Sequence, residues 1–402
     1  MKELELYLHI PFCVKKCNYC DFLSAPAEEK TRAAYVDTLI REIEDFEEPE
    51  DYEVVTVFFG GGTPSILPGE AILRLMEALR KKFHFREEAE ITLEANPGTV
   101  DEKKLSFYKK AGINRLSFGL QSTDAEELKK LGRIHTWEKF LESFELARKA
   151  GFSNINVDLM SALPGQTVES WEKTLKQVIA LNPEHISAYS LIIEEGTPFY
   201  QLYEKDAEKR DAGEEPELLP SEEEERAMYE LTGSVLKENG YLHYEISNYA
   251  KPGRECRHNL GYWQRKDYLG FGLGASTLLN PVRYKNTEDL CDYLDGDFSK
   301  KNYLLTLSFR ALPALKTGMV VAGISMASFV LGLRPIRASR FFVSKPPKPT
   351  SWTLSPWLSA SVMVSNVVVT AFSASFLDIP HFFATSAINS VLFMCRSSFH
   401  KV

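Results

Sequence analysis

The chain reads as an α/β protein built on an open, partial barrel of six β/α units, and three observations predict it. Short apolar runs at residues 4–10, 54–59, 90–94, 115–119, 154–160 and 185–191 alternate with amphipathic stretches at 31–46, 70–83, 101–111, 137–150 and 168–181. Such alternation means parallel strands joined by helical crossovers. Gly112 and Gly151 stand where the third and fourth helices should end, because a glycine enters the left-handed region without a Cβ penalty. Polar residues recur just after the apolar runs, where the loops of a parallel barrel converge on one face. Six units fall short of the eight that close a full barrel, so the sheet is expected to stay open.

The first strand runs straight into Cys13, Cys17 and Cys20, a CxxxCxxC array. Structural zinc wants four ligands in paired spacings, and the nearby fourth candidates, His9 and Asp21, complete no such pattern. A disulfide is disfavoured: cysteine is sparse, six in 402 residues, and no signal-peptide pattern precedes the array. A cubane iron-sulfur cluster normally takes four cysteines. Three thiolates in one loop therefore suit a [4Fe-4S] cluster with one iron left open to a small molecule.

The later strands each bring a polar signal. After the second come Gly60, Gly61, Gly62 and Thr63, where glycine lets the backbone approach a ligand closely. Glu94 ends the third strand in LEANPG, placed to accept hydrogen bonds from a ribose diol. Gln121 follows the fourth in SFGLQS, and Arg133 lies in LGRIH. Asp158 sits inside the fifth strand in NVDLM, where a carboxylate needs a partner, either structural, such as Arg133, or a ligand. Residues 204–226 form an acidic run read as a solvated connector into a helix, with Ser221 and Glu224 as a capping box. An aromatic-rich segment at about 241–300 follows.

Charge divides the chain. The net −9 combines −18 over residues 1–300 with +9 over residues 301–402. An acidic body argues against a nucleic-acid partner. The last stretch has no Glu or Gln, sixteen Ser, one acid (Asp378) and uncharged runs at 317–333 and 349–377. The second run is long enough to span a bilayer, but scattered serines, Pro356 and the lack of flanking charge argue against a span. The expected location is the cytoplasm. The composition break predicts three regions: 1–230, 231–300, and a tail of other origin, out of frame or fused, at 301–402.

Taken as a set, YLHIPFCVKKCNYCDF, GGGTPS, LEANPG, SFGLQS, LGRIH and VDLMSALPGQT resemble radical S-adenosylmethionine proteins of the coproporphyrinogen III oxidase-like group, over residues 1–298. The HNLGYW segment at residues 258–263 looks like the HNxxYW signature of that group's haem-chaperone branch, HemW. The oxidases continue their loop as CxxxCxxCxC, whereas this chain has Phe22 at the last position, which favours the chaperone branch. The resemblance implies a partial radical S-adenosylmethionine barrel followed by a small α+β segment. It implies that Cys13, Cys17 and Cys20 hold the cluster, and that the amino and carboxylate groups of S-adenosylmethionine complete the unique iron. It also implies that Tyr7, Tyr19, Gly61, Gly62, Thr63 and Glu94 line this cofactor's site, and that Gln121, Arg133 and Asp158 match positions contacting a second cofactor molecule in the oxidases.

For haem, His258 is the favoured axial ligand, with Tyr262 and Trp263 placed to stack on a porphyrin and Cys256 the alternative ligand; His9 and His243 are read as structural. The implied partners are haem, haem-acceptor proteins, an electron donor such as flavodoxin or ferredoxin, and peripheral contact with a membrane. Reductive cleavage of S-adenosylmethionine is permitted by the loop. The rival readings are oxidative decarboxylation of coproporphyrinogen III and an inactive remnant. The winged-helix-like ending of the family is not found after Ser299.

Overall fold

The computed structural model describes residues 1–47, 49–299 and 301–304, so all but the first four residues of the expected foreign tail lie outside the described residues. Six parallel strands form the centre: β1 (Lys2–Ile10), β2 (Tyr52–Gly61), β3 (His84–Ala95), β4 (Arg115–Gln121), β5 (Ile155–Ser161) and β6 (His185–Ser190). They lie side by side in chain order, each crossover carrying helix: α1 (Glu29–Asp45), α2 (Gly69–Lys82), α3 (Glu102–Ala111), α4 (Ala125–Lys130) with α5 (Trp137–Lys149), and α6 (Val168–Ala180). The arc is an unclosed barrel, as the alternation predicts.

Local signals account for the helix ends. Gly112, at φ 85°, closes α3, and its amide reaches back to the Tyr108 and Lys109 carbonyls. Asp101, Thr136 and Thr167 cap α3, α5 and α6 through their side chains. The single-turn-scale α4 was not legible as a periodic pattern; Asp124 starts it by accepting from the Glu126 and Glu127 amides.

The acidic run is only partly a connector. Residues up to 211 belong to α7 (Pro198–Asp211), which Thr197 caps and whose Phe199 packs into a second apolar cluster with Leu131, Met160, Leu163, Leu191 and Leu219. Most of the charges are solvated, but Asp206 and Arg210 are buried, Asp206 accepting from the Leu218 and Leu219 amides and Arg210 pairing with Glu225 of the next helix. α8 (Glu222–Glu238) follows, opened by the expected Ser221–Glu224 capping box. The expected division near residue 230 falls inside α8, and Trp171 of α6 donates to Thr232 of α8 at 2.8 Å, tying the helix to the barrel.

The later segment extends both edges of the same sheet. On the β6 side lie β8 (Asn248–Ala250) and then β7 (Leu242–His243); on the β1 side lie β9 (Tyr268–Phe271), β10 (Ser276–Leu279), β11 (Val282–Asn286) and β12 (Lys301–Leu304). Between these sets sits α9 (Arg257–Trp263), and α10 (Leu290–Asp295) packs against α1. Among the described residues no helix is long and apolar enough to cross a membrane.

Strand side chains alternate between faces, and here the two faces differ chemically. Leu4, Leu6, Leu8, Val57, Phe59, Ile91, Leu93, Leu116, Phe118, Val157, Leu159 and Ile186 belong to the main apolar core. The alternate positions are polar: Glu5, Tyr7 and His9 on β1, Thr56 on β2, Glu90, Thr92 and Glu94 on β3, Arg115 and Ser117 on β4, Asn156 and Asp158 on β5, His185, Ser187 and Tyr189 on β6. A second face this polar and this buried lines an interior, part of which α9 fills through Thr56 and Glu90.

Candidate functional site

The cysteine loop is held at the carboxyl ends of the strands by backbone bonds. The Cys13 amide donates to Ala25 O at 3.2 Å, the Asn18 amide to Leu131 O at 3.0 Å, and the Phe199 amide to Asn18 O at 2.9 Å. Gly62 N and Thr63 N donate to the Ile10 and Phe12 carbonyls at 2.9 and 2.8 Å. These last bonds give the glycines a packing role as well. A Cβ at Gly62 would lie 2.7 Å from Phe12 O, and one at Gly61, where φ is 110°, would lie 2.5 Å from the His9 ring. The glycines make room for the root of the cysteine loop and for His9, so their smallness is explained by the protein's own packing.

Each of the three thiols faces a hydrogen-bond donor. Thr63 Oγ1 lies 3.4 Å from Cys13 Sγ, Arg133 Nη1 donates to Cys17 Sγ at 3.6 Å, and the Phe22 amide bonds to the Cys20 sulfur. Asn96 joins the first two: its Nδ2 donates to Thr63 Oγ1 at 2.8 Å and its Oδ1 accepts from Arg133 Nη2 at 2.6 Å. Thr63 Oγ1 accepts from Asn96 and keeps its own proton, which it can donate to Cys13 when that sulfur is a thiolate. A circuit therefore runs Cys13, Thr63, Asn96, Arg133, Cys17. Asn96 was missed as a site residue; its only sequence signal is its place in LEANPG, two positions after Glu94.

Among the described residues no three His, Cys, Asp or Glu side chains converge on one metal ion. In a cubane each thiolate binds a different iron. The donor set fits such a cluster: sulfur ligands must be thiolates, and a guanidinium, a hydroxyl and an amide all favour the charged form. Burial, outweighing the Phe22 amide, pushes the Cys20 thiol up to about 12, a cost that a bound cationic iron would reverse.

Beside the loop, His9 donates from Nε2 to Leu23 O at 2.9 Å, since a carbonyl only accepts; Nδ1 then accepts from the Tyr7 hydroxyl at 3.0 Å. Burial lowers the His9 pKa to about 4 and raises that of Tyr7. Glu94 Oε2 accepts from Gly61 N at 3.2 Å, and burial, reinforced by Asp158, raises its carboxyl to about 8. Tyr19 packs toward Phe199, ring centres 6.5 Å apart. Gln121 takes φ 72° and accepts from the Tyr189 hydroxyl at 3.2 Å.

Asp158 is partnered differently from the expectation. Ser117 Oγ donates to it at 3.1 Å and Asn156 Nδ2 at 2.6 Å, with Arg115 the nearby cation. Arg133 is committed to Asn96, Gly119 O and Cys17. Thr92 Oγ1 and Arg115 Nε, both buried, have no hydrogen-bond partner among the described residues, so the interior keeps polar capacity in reserve.

The haem candidates differ in burial and in what their side chains already bond. His258 is 1% exposed, shares hydrogen bonds with Thr56 Oγ1 (2.7 Å, Nδ1) and Tyr262 Oη (3.0 Å, Nε2), and stacks on Phe58 at 5.2 Å. Both ring nitrogens are engaged, and burial lowers its pKa to about 3. Cys256 is fully buried and reaches Glu90 at 3.6 Å. Trp263 is half-buried beside Glu245. In this arrangement His258 and Tyr262 dock α9 into the polar barrel face; the ring offers no lone pair to an iron. His243, read as structural, is the exposed one, its Nε2 donating to Ile246 O at 3.1 Å.

Residues 7–178 match the model of the Radical SAM superfamily. The chain is 43% identical over 277 residues to "Heme chaperone HemW" of Escherichia coli (strain K12), covering 68% of this chain and 70% of that protein. It is 38% identical over 300 residues to the protein of the same name from Lactococcus lactis subsp. lactis (strain IL1403), covering 75% and 76%. Among solved structures, coproporphyrinogen III oxidase (HemN) from Escherichia coli superposes with a TM-score of 0.64 at 27% identity, over 76% of this chain and 72% of that one.

Proposed function

This chain belongs to the HemW family within the radical S-adenosylmethionine superfamily, and from that premise we propose that it is a haem chaperone that binds haem and delivers it to acceptor proteins. Its cofactors are a [4Fe-4S] cluster on Cys13, Cys17 and Cys20 and S-adenosylmethionine beside it. The observation that supports the cofactor half is the circuit through Thr63, Asn96 and Arg133, which presents polarising donors to two of the three sulfurs. The haem half rests on the likeness to the HemW proteins.

When bound and reduced, the cluster supplies one electron to the sulfonium of S-adenosylmethionine. The chain's own residues do the rest. Arg133 and Thr63 hold charge at the thiolates. Glu94, anchored by the Gly61 amide through one oxygen, keeps the other for a ribose hydroxyl. Tyr7, held by His9, closes the same wall. An electron donor of the flavodoxin or ferredoxin class and a cytoplasmic working site complete the proposal.

The test is spectroscopic. Anaerobically reconstituted protein should shift the Soret band of added haem and then pass haem to an apo-acceptor. A protein that does neither defeats the proposal. The likeness to HemN supports the second reading, oxidative decarboxylation of coproporphyrinogen III; protoporphyrinogen formed with reductant and S-adenosylmethionine would establish it in place of the first.

A further inference from the structure

We propose that the cleft between α8 and the β7–β8 hairpin is a haem-docking site in which His243 supplies the axial ligand; the proposal rests on the haem-carrying reading above. The cleft measures about 440 Å³, and Tyr229, Glu230, Gly233, Ser234 and Lys237 of the helix line it together with His243 and Tyr249 of the hairpin. Its chemistry is that of a planar, amphipathic dianion with a metal at its centre.

The ligand comes from the hairpin. His243 lies opposite Tyr249 in the antiparallel β7–β8 pair. Its Nε2 donates to Ile246 O at 3.1 Å, which fixes the tautomer and leaves the Nδ1 lone pair for a metal, the arrangement a neutral imidazole ligand needs. Tyr249 stacks on the imidazole at 4.3 Å and 11°, and Tyr229 approaches at 6.2 Å and 70°. The ring is thus oriented by two aromatic neighbours, of which Tyr249 is buried beneath it and the partly exposed Tyr229 can also meet a porphyrin edge.

The floor comes from the helix. Glu230, Gly233, Ser234 and Lys237 fall three and four residues apart and so share one stripe of α8. A Cβ at Gly233 would meet nothing within 4 Å, so the stripe is open at its middle. Lys237 is exposed and makes no ion pair among the described residues; it is the cation that a haem propionate would meet. Glu230, at the other end, repels propionates and so sets their direction toward Lys237.

Among the described residues, competition among the histidines favours this one. His9, His135, His185 and His258 are 8%, 7%, 0% and 1% exposed and hydrogen-bonded inside the protein. His84 is exposed but has no aromatic neighbour among the described residues. A cleft of this size covers part of a porphyrin and leaves the opposite axial position open, which suits a carrier that must hand its cargo on.

The experiment is a titration of the full chain with ferric haem, followed by the Soret band and by electron paramagnetic resonance of the ferric iron. Wild type should show a histidine-ligated spectrum. H243A should bind at least tenfold more weakly and lose that signature, with added imidazole restoring it; K237E should weaken binding and keep the ligation signature; H84A should match wild type. H243A that matches wild type in affinity and spectrum overturns the proposal, as does loss of the signature in H258Q while H243A retains it. Wild-type protein that leaves the free-haem spectrum unchanged overturns the haem-carrying reading and this site together, whereas binding by wild type with an unaltered H243A overturns the site alone.

Discussion

Replacing His258 with Ala separates docking from ligation. The side chain is 1% exposed and makes two hydrogen bonds, to Thr56 and Tyr262, besides stacking on Phe58. Two buried hydrogen bonds contribute about 2 kcal/mol together. Loss of the ring's packing adds about 2 kcal/mol, at the low end of aromatic-to-alanine changes because imidazole is smaller than phenyl. Thr56 lies in the barrel wall, where water admitted to the cavity can satisfy it, so part of the penalty relaxes. The apoprotein should therefore lose about 3–4 kcal/mol of local stability at α9.

Trp263 ends α9 and reports on its docking through fluorescence. In urea, H258A should show an early transition in that signal, together with faster amide exchange over residues 256–264, while the exchange of β3 to β5 is little changed. Haem titrated into the same variant should still give the histidine-ligated Soret band. The opposite pattern, unchanged apoprotein stability with the haem signature abolished, would refute the docking assignment and return His258 to the iron.

C17S should abolish the brown charge-transfer absorption of the reconstituted cluster; retained absorption with full iron content sinks the ligand assignment. N96A should still assemble a cluster, but with the Thr63 proton and the Arg133 guanidinium no longer held toward sulfur the reduction potential should fall, as read by a redox titration; an unshifted potential counts against the circuit. A Cβ at position 261 would lie 1.8 Å from Glu5 Oε1, so G261A should undock α9 about as strongly as H258A, and an unaltered urea profile would refute the close approach. Burial raises Glu5 to about 9 from an ordinary 4.5, so the folded chain keeps a proton the unfolded chain has lost. Its contribution is complete below pH 4.5 and is lost as pH climbs toward 9, at up to about 1.4 kcal/mol per unit. His258 acts oppositely, contributing above 6.5 and losing it as pH falls toward 3. Glu94 shares the alkaline slope up to about 8, so the comparison is wild type minus E5Q in urea midpoints from pH 6 to 9. The stability of wild type relative to E5Q should fall as pH rises through this range, and parallel profiles would refute the Glu5 assignment.

Much of the barrel was legible because its information is local and periodic. Period-two alternation at β1 separates Leu4, Leu6 and Leu8 from Glu5, Tyr7 and His9 without any knowledge of neighbours, and Gly112 marks a helix end by its own backbone freedom. The cysteine loop was equally legible, since its spacing is carried by eight consecutive residues. What escaped depends on distant pieces meeting. Asp158 and Arg133 are complementary charges at neighbouring strand ends, yet Arg133 turns to Cys17 and Asn96 because α4 and its loop carry it over the mouth of the barrel, while Asp158 stays inside among Ser117 and Asn156.

The histidines make the same point more sharply. A motif ranks His258 first because it stands in HNLGYW, but ligation needs a lone pair and an approach path, and neither is a property of the motif. α9 is seven residues long, too short to bury an apolar stripe of its own. It is held instead by polar side chains aimed into a polar wall, and the best residue for that purpose is one with two hydrogen-bonding nitrogens and a flat face. Those are also the attributes of an iron ligand. The helix uses them up on Thr56, Tyr262 and Phe58. A histidine on a two-residue hairpin strand faces no such demand: His243 spends one nitrogen on a turn carbonyl and keeps the other. The distinction between the two rings is thus set by what each element lacks for its own stability, which only the assembled sheet reveals.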